Sequence, residues 1–191
     1  MKEKLTLRNV IIWGAAFLGL VFFFLSFAVK AEVSGYGEGK VQYVFNNAIW
    51  GGNTMKVYFN GQLMSTVGSP GKPFALPIVG VILLLVSVIC AVIVSFAVKD
   101  NKVAKILLIV AGVLAVTGGV FVFFVGESAL RSLAYAVYGD EGLAQIEVFR
   151  QEMLQNGFNN HSRALGIILG IVAILVGGSF AVAPFLPSKK K

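Results

Sequence analysis

Four apolar stretches, residues 10–29, 74–98, 106–125 and 164–187, contain no Asp, Glu, Lys, Arg or His. Each has at least the about 20 residues that a helix needs to cross a hydrocarbon core of about 30 Å. A backbone inside lipid must satisfy its own hydrogen bonds, which selects helices for such stretches. The sequence therefore predicts an all-α membrane protein, a four-transmembrane-helix bundle forming a single four-span membrane domain over residues 1–191.

Hydrophobic residues make up 57% of the chain and charged ones 13%, against about 25% charged in a soluble domain. Outside the spans only two sizeable loops remain, residues 30–73 and 126–163. Neither is long enough to be read as a separate catalytic domain. The net charge of +7 gathers at the ends of the apolar stretches. It forms no single basic face, which argues against a nucleic-acid partner.

The charge distribution sets an orientation. Lys2, Lys4, Arg8, Lys99, Lys102, Lys105 and Lys189 to Lys191 lie on one side, nine basic residues against Glu3 and Asp100. The two larger loops hold seven basic and seven acidic residues. Short loops rich in Lys and Arg stay cytoplasmic, so both termini are expected inside a cell membrane and both larger loops outside. A rival reading takes the first stretch as a secretory signal. At 20 residues (10–29) it is longer than the usual apolar region of about 7–15, and Lys30 fits poorly beside a cleavage site.

Small residues recur at four-residue spacing in every span: Ala15 and Gly19; Ser87, Ala91 and Ser95; Ala111, Ala115 and Gly119; Gly166 and Gly170, then Ala173, Gly177 and Ala181. Such stripes let helix backbones approach closely in lipid. The first expectation is that they build the bundle itself. The sharper one gives the Gly166 and Gly170 face to a partner span or a second copy. Cys90, the only cysteine, lies mid-span and reads as a small apolar residue.

The first outer loop is strand-like. Residues 41–45, 54–59 and 62–67 are rich in β-branched and aromatic side chains, and Asn60-Gly61 separates the last two runs. Asn-Gly between such runs is the strongest short hairpin signal. A small antiparallel β-sheet of three strands, or four, is expected there. Trp50, Tyr58 and Phe59 are its candidate contact residues. The second outer loop reads as helical, with residues 128–138 continuing the third span. Asp140 is placed to cap a further helix that ends near Gln155, before Gly157. On that amphipathic helix Leu143, Ile146, Phe149 and Met153 recur at helical spacing. The apolar face, with Phe149 and Met153 as candidate contacts, is expected to cover the sheet. A membrane surface or a partner protein are the other possible neighbours. Asn160-His161-Ser162 matches a glycosylation pattern, but it sits at the mouth of the fourth span.

Catalytic chemistry is hard to assemble from what remains. There is one His and one Cys, and no Gly-x-Ser-x-Gly or phosphate-binding glycine loop. No cofactor, metal site or enzymatic activity is expected. Span interiors free of ionisable groups also speak against an ion-coupled transporter. The layout resembles the claudin-like and related four-span families: both ends inside, a strand-rich first outer loop, a short inner turn and a more helical second outer loop. The claudin first-loop signature is a Trp, then Gly-Leu-Trp, then two cysteines; this chain has Trp50-Gly51-Gly52 and neither cysteine. The resemblance is one of topology and transfers no functional residue. The expected function is a non-enzymatic scaffold or accessory protein. It would act by contact with the lipid bilayer and with a membrane-protein partner, or by self-association. An oligomeric channel or small-solute transporter is the alternative.

Overall fold

The computed structural model describes residues 6–47, 49–50, 54–68, 74–98 and 101–186. Lys2, Glu3, Lys4, Gly51, Gly52, the Lys99-Asp100 turn, Pro187 and the Lys189 to Lys191 tail lie outside the described residues.

The chain is mostly helical with a small antiparallel sheet. The helices are α1 (Leu7–Ser26), α2 (Ala75–Ala97), α3 (Asn101–Val122), α4 (Val125–Ala144), α5 (Ile146–Gln155) and α6 (Ser162–Val182), the last extended by one 3-10 turn, Ala183–Phe185. The strands are β1 (Ala31–Tyr36), β2 (Lys40–Phe45), β3 (Thr54–Phe59), β4 (Gln62–Gly68) and β5 (Asn159–Asn160). Helices α1, α2, α3 and α6 are long and apolar enough to cross a membrane. They match the four apolar stretches with shifted ends. Helix α3 starts at Asn101 rather than near Ile106, because Lys102 and Lys105 are good helix formers. Charge marks the end of an apolar stretch without marking the end of a helix.

Two compact units make up the chain: Met1–Phe24, Val79–Phe121 and Leu169–Lys191 in the first, Leu25–Ile78 and Val122–Ile168 in the second. The first unit is helical. Helix backbones come close at several glycines. A Cβ placed on Gly112 would stand 2.7 Å from the Gly177 carbonyl oxygen, and one on Gly119 2.7 Å from that of Gly170. These pairs are seven residues apart on both helices, so one face of α3 meets one face of α6 over two turns. On its other side α3 meets α2, where a Cβ on Gly118 would stand 2.5 Å from the Gly80 carbonyl oxygen. Ser87 Oγ, fully buried, donates to the Ala111 carbonyl at 2.6 Å and links α2 to α3. Ser95 and Ser179 donate to carbonyls of their own helices, Val92 and Leu175. These three serines are thus tied to backbone acceptors, as an apolar surrounding requires.

The second unit holds the sheet, in the order β4-β3-β2-β1-β5. Strands β1 to β4 form an antiparallel meander. The predicted hairpin is present: Asn60 (φ 48°) and Gly61 (φ 82°) occupy the left-handed region that a two-residue type I′ turn demands. The first loop supplies four strands, the larger of the two expected numbers, and the second loop adds a fifth. Strand β1 carries Glu32 and Gly35 and lacks a strand pattern of its own. It is ordered by neighbours on both sides, β2 and β5. Strand β5 has two residues, Asn159 and Asn160, paired with Ser34 and Val33. The sheet therefore draws on both loops.

The second loop also departs from expectation. Helix α3 ends at Val122, and a turn at Phe123-Phe124 precedes α4. No Gly or Pro marks that break in the sequence. A second break falls at Gly139 (φ 64°), one residue before Asp140, and α5 begins only at Ile146. The stop after Gln155 is as expected. Gly157 (φ 72°) ends α5 in a Schellman motif, with Phe158 N–H donating to Met153 at 2.8 Å and Gly157 N–H to Leu154 at 3.0 Å.

Candidate interaction surface

Most residues singled out as candidate contacts in the second unit hold the unit together. Trp50 is half-buried. Its indole N–H donates to Ser26 Oγ at 3.0 Å, and its ring stacks on Phe27 with centroids 5.0 Å apart and planes 1° from parallel. Asn47 reinforces the joint. Its Oδ1 accepts from the Ile49 and Trp50 amides at 2.9 Å, and its Nδ2 donates to the Phe27 carbonyl at 2.8 Å. The carbonyls past the end of α1 would otherwise lack donors.

Phe149 is buried and meets Tyr138 edge to face at 5.9 Å. Glu127 binds α4 to α5: its carboxylate accepts from Arg131 Nε at 3.3 Å and from Arg150 Nη2 at 2.7 Å. Met153 and Arg150 line a crevice of about 80 Å³ with Val33, Leu130 and Phe158. The apolar side of α5 therefore faces this chain's own α4 and β1 region. Gly166 is buried against the carbonyls of Val122 and Phe123, and Gly170 is the glycine facing Gly119. Both are covered by the chain's own backbone. Tyr58 is half-buried and Phe59 is exposed, beside Gly39.

A seam of polar groups, unmarked in the sequence, fastens the start of α6 to β1. Ser162 Oγ accepts from the Glu32 amide at 3.1 Å, the His161 amide donates to the Glu32 carbonyl at 3.1 Å, and Ser34 Oγ lies 2.8 Å from His161 Nε2. A Ser–His hydrogen bond is the geometry of an activated nucleophile. Ser34 is only 3% exposed, however, and a nucleophile must be reachable. Asn160 donates its side-chain amide to the Gly126 carbonyl at 2.7 Å, so the nitrogen that a glycan would occupy is already engaged. Among the described residues no group of three His, Cys, Asp or Glu is placed to hold a metal ion.

The surface left open is β4. Every residue of this seven-residue strand is exposed, including Leu63, Met64 and Val67. It ends the sheet on one side, whereas β5 lies outside β1 on the other. Residues 57–68 include no charged side chain. A second open feature, a groove of about 210 Å³ lined by Tyr138, Glu141, Gln145, Val148, Phe149 and Glu152, lies between α4 and α5.

No protein-family model matches this chain, and a search of the curated proteins returned no matching relative.

Proposed function

We propose that this chain is a multi-pass integral protein of the cell membrane, with both termini cytoplasmic, that works by contact and not by catalysis. Membrane residence is supported by the outward faces of the four long helices. They present Phe17, Phe24, Phe96, Ile106, Val113, Ile168 and Leu175 to the surroundings. In water that would be a far larger apolar patch than a soluble monomer carries. The inward positions include small residues, Ala91, Ala111, Ala115 and Ala173, beside larger ones such as Leu84 and Phe180, and the small ones suit association in lipid. The buried polar residues among those described are all serines, and this supports a role other than ion-coupled transport.

One observation carries the contact reading: an exposed, uncharged β-strand stands at the free edge of a folded sheet. A free edge offers a row of backbone donors and acceptors and recruits another strand unless it is guarded. The protein is therefore a scaffold or accessory protein whose extracytoplasmic unit joins another chain. Gentle-detergent purification with chemical cross-linking and mass spectrometry is expected to give a stoichiometric complex cross-linked through the first loop. Reconstitution in liposomes is expected to give no solute flux. Flux from a preparation without any such complex would overturn the reading in favour of an oligomeric pore.

A further inference from the structure

The open edge has a chemistry that narrows what pairs with it. We propose that β4 docks on β4 of a second copy, antiparallel and centred on Thr66, merging two five-stranded sheets into one. The inference rests on the contact reading above and names its partner.

Three observations carry it. First, the usual guards of a free edge are charged residues and proline. Neither occurs from Val57 to Gly68. One irregularity interrupts the β3–β4 ladder, where Val57 pairs Ser65 and Tyr58 pairs Leu63, leaving Met64 as the extra residue. The four residues 65–68 beyond it are regular.

Second, a strand without charge offers nothing to select a charged peptide. It is a place where two copies of a chain with net charge +7 can meet without like charges opposed.

Third, the sequence of β4 suits its own reverse. A two-fold axis normal to the sheet pairs residues of equal parity, so side chains stay on their original faces. Centred on Thr66, it sets Thr66 opposite Thr66, Ser65 opposite Val67, and Met64 opposite Gly68. The large side chain of Met64 meets a residue that has none. Ser65 and Val67 carry on the face of Val57 and Met55, their partners in β3. The pairing also closes. A two-fold contact uses the same edge on both copies, so each β4 is consumed once and addition stops at a dimer.

The test uses the full-length chain in lipid vesicles with Cys90→Ala and single cysteines at positions 64 to 68. Mild oxidation is expected to give most disulfide-linked dimer at Thr66→Cys, with yield falling on both sides. Without cysteines, Thr66→Lys sets two cations opposite each other. It is expected to lower the dimer fraction, counted by single-molecule photobleaching, about fivefold or more, while Thr66→Val leaves it unchanged. Thr66 is exposed in the single chain, so the lysine variant should keep the wild-type thermal midpoint, which checks folding directly. A flat cross-linking profile, or a dimer that survives Thr66→Lys, overturns the inference. So does a monomer that co-purifies with a different protein. These last two outcomes leave the contact reading standing, whereas solute flux without any complex removes both.

Discussion

In the helical unit backbones come close at Gly112, Gly118, Gly119, Gly170 and Gly177, and Ala91, Ala111, Ala115 and Ala173 are fully buried. Phe17, Phe96 and Leu175 point outward at 67%, 74% and 65% exposure. Large side chains are inside as well, Ile12, Leu84, Leu108 and Phe180 among them. The strand-bearing unit differs in what it shows outside. Phe45, Ile49, Val33 and Leu133 are inside, while Glu38, Asp140, Glu141, Glu147 and Glu152 are exposed. Burial drives large apolar side chains inward where the alternative is water. Where lipid is the alternative, an outward leucine costs little, and close packing between helices becomes the source of cohesion. The two units thus differ in their outer faces, and under the proposed membrane setting that difference reflects lipid around one and water around the other. Strand β4, exposed and uncharged, departs from the charged surface of its own unit.

The largest effect that tests this contrast should come from Phe45→Ala. Phe45 is 1% exposed in the sheet unit, and truncating a buried phenylalanine there should cost about 3–5 kcal/mol. Limited proteolysis of the two loops is the readout: cleavage within residues 30–73 should appear under conditions where the wild type is intact. An intact loop unit would show that its core is not what holds the sheet. A smaller loss is expected from Gly119→Ala. The new methyl would meet the Gly170 carbonyl oxygen at 2.7 Å and the Ile174 side chain at 2.8 Å. Helices α3 and α6 must separate to admit it, at about 1–3 kcal/mol. Gly14→Ala is the control, because nothing lies within 4 Å of its new methyl. Thermal midpoints in mild detergent should fall for Gly119→Ala and hold or rise for Gly14→Ala.

The long helices were legible because their signal is compositional and local: some twenty residues without charge leave few alternatives. The Asn60-Gly61 hairpin and the Gly157 stop were legible for a similar reason, since each rests on a backbone conformation that few residues tolerate. What could not be read depends on distant partners. Strand β1 forms between β2 and a two-residue strand more than a hundred positions away. The break at Phe123-Phe124 contains no residue that breaks helices by itself. The candidate contacts divide along the same line. Trp50, Phe149, Gly166 and Gly170 were notable as bulky or small residues, and packing inside the chain uses those properties. Composition marks residues 62–67 as a strand but does not tell that every side chain from Gln62 to Gly68 is exposed, because that depends on what covers the two faces of the sheet. The pairing of Gly119 with Gly170 was likewise hidden, although the small-residue spacing that permits it was plain.

The smallest effect is the sharpest test of the proposed bilayer setting. Leu175 lies on α6 and is 65% exposed. In a soluble protein such a residue contacts water in both the folded and unfolded states. In a bilayer it contacts lipid in both, since a helix loosened from its neighbours stays in the membrane. Leu175→Ala should therefore change stability by no more than about 0.5 kcal/mol in either setting. Leu175→Gln separates the two. In water an exposed glutamine is harmless, whereas in hydrocarbon its amide lacks partners and costs about 1–3 kcal/mol. That cost falls on insertion more than on helix association. The expected result is an unchanged midpoint for Leu175→Ala and a clear loss of membrane-integrated protein for Leu175→Gln, measured by carbonate extraction. Equal, full integration of both variants would move Leu175 out of the hydrocarbon layer, and the packing contrast would then need a cause other than lipid.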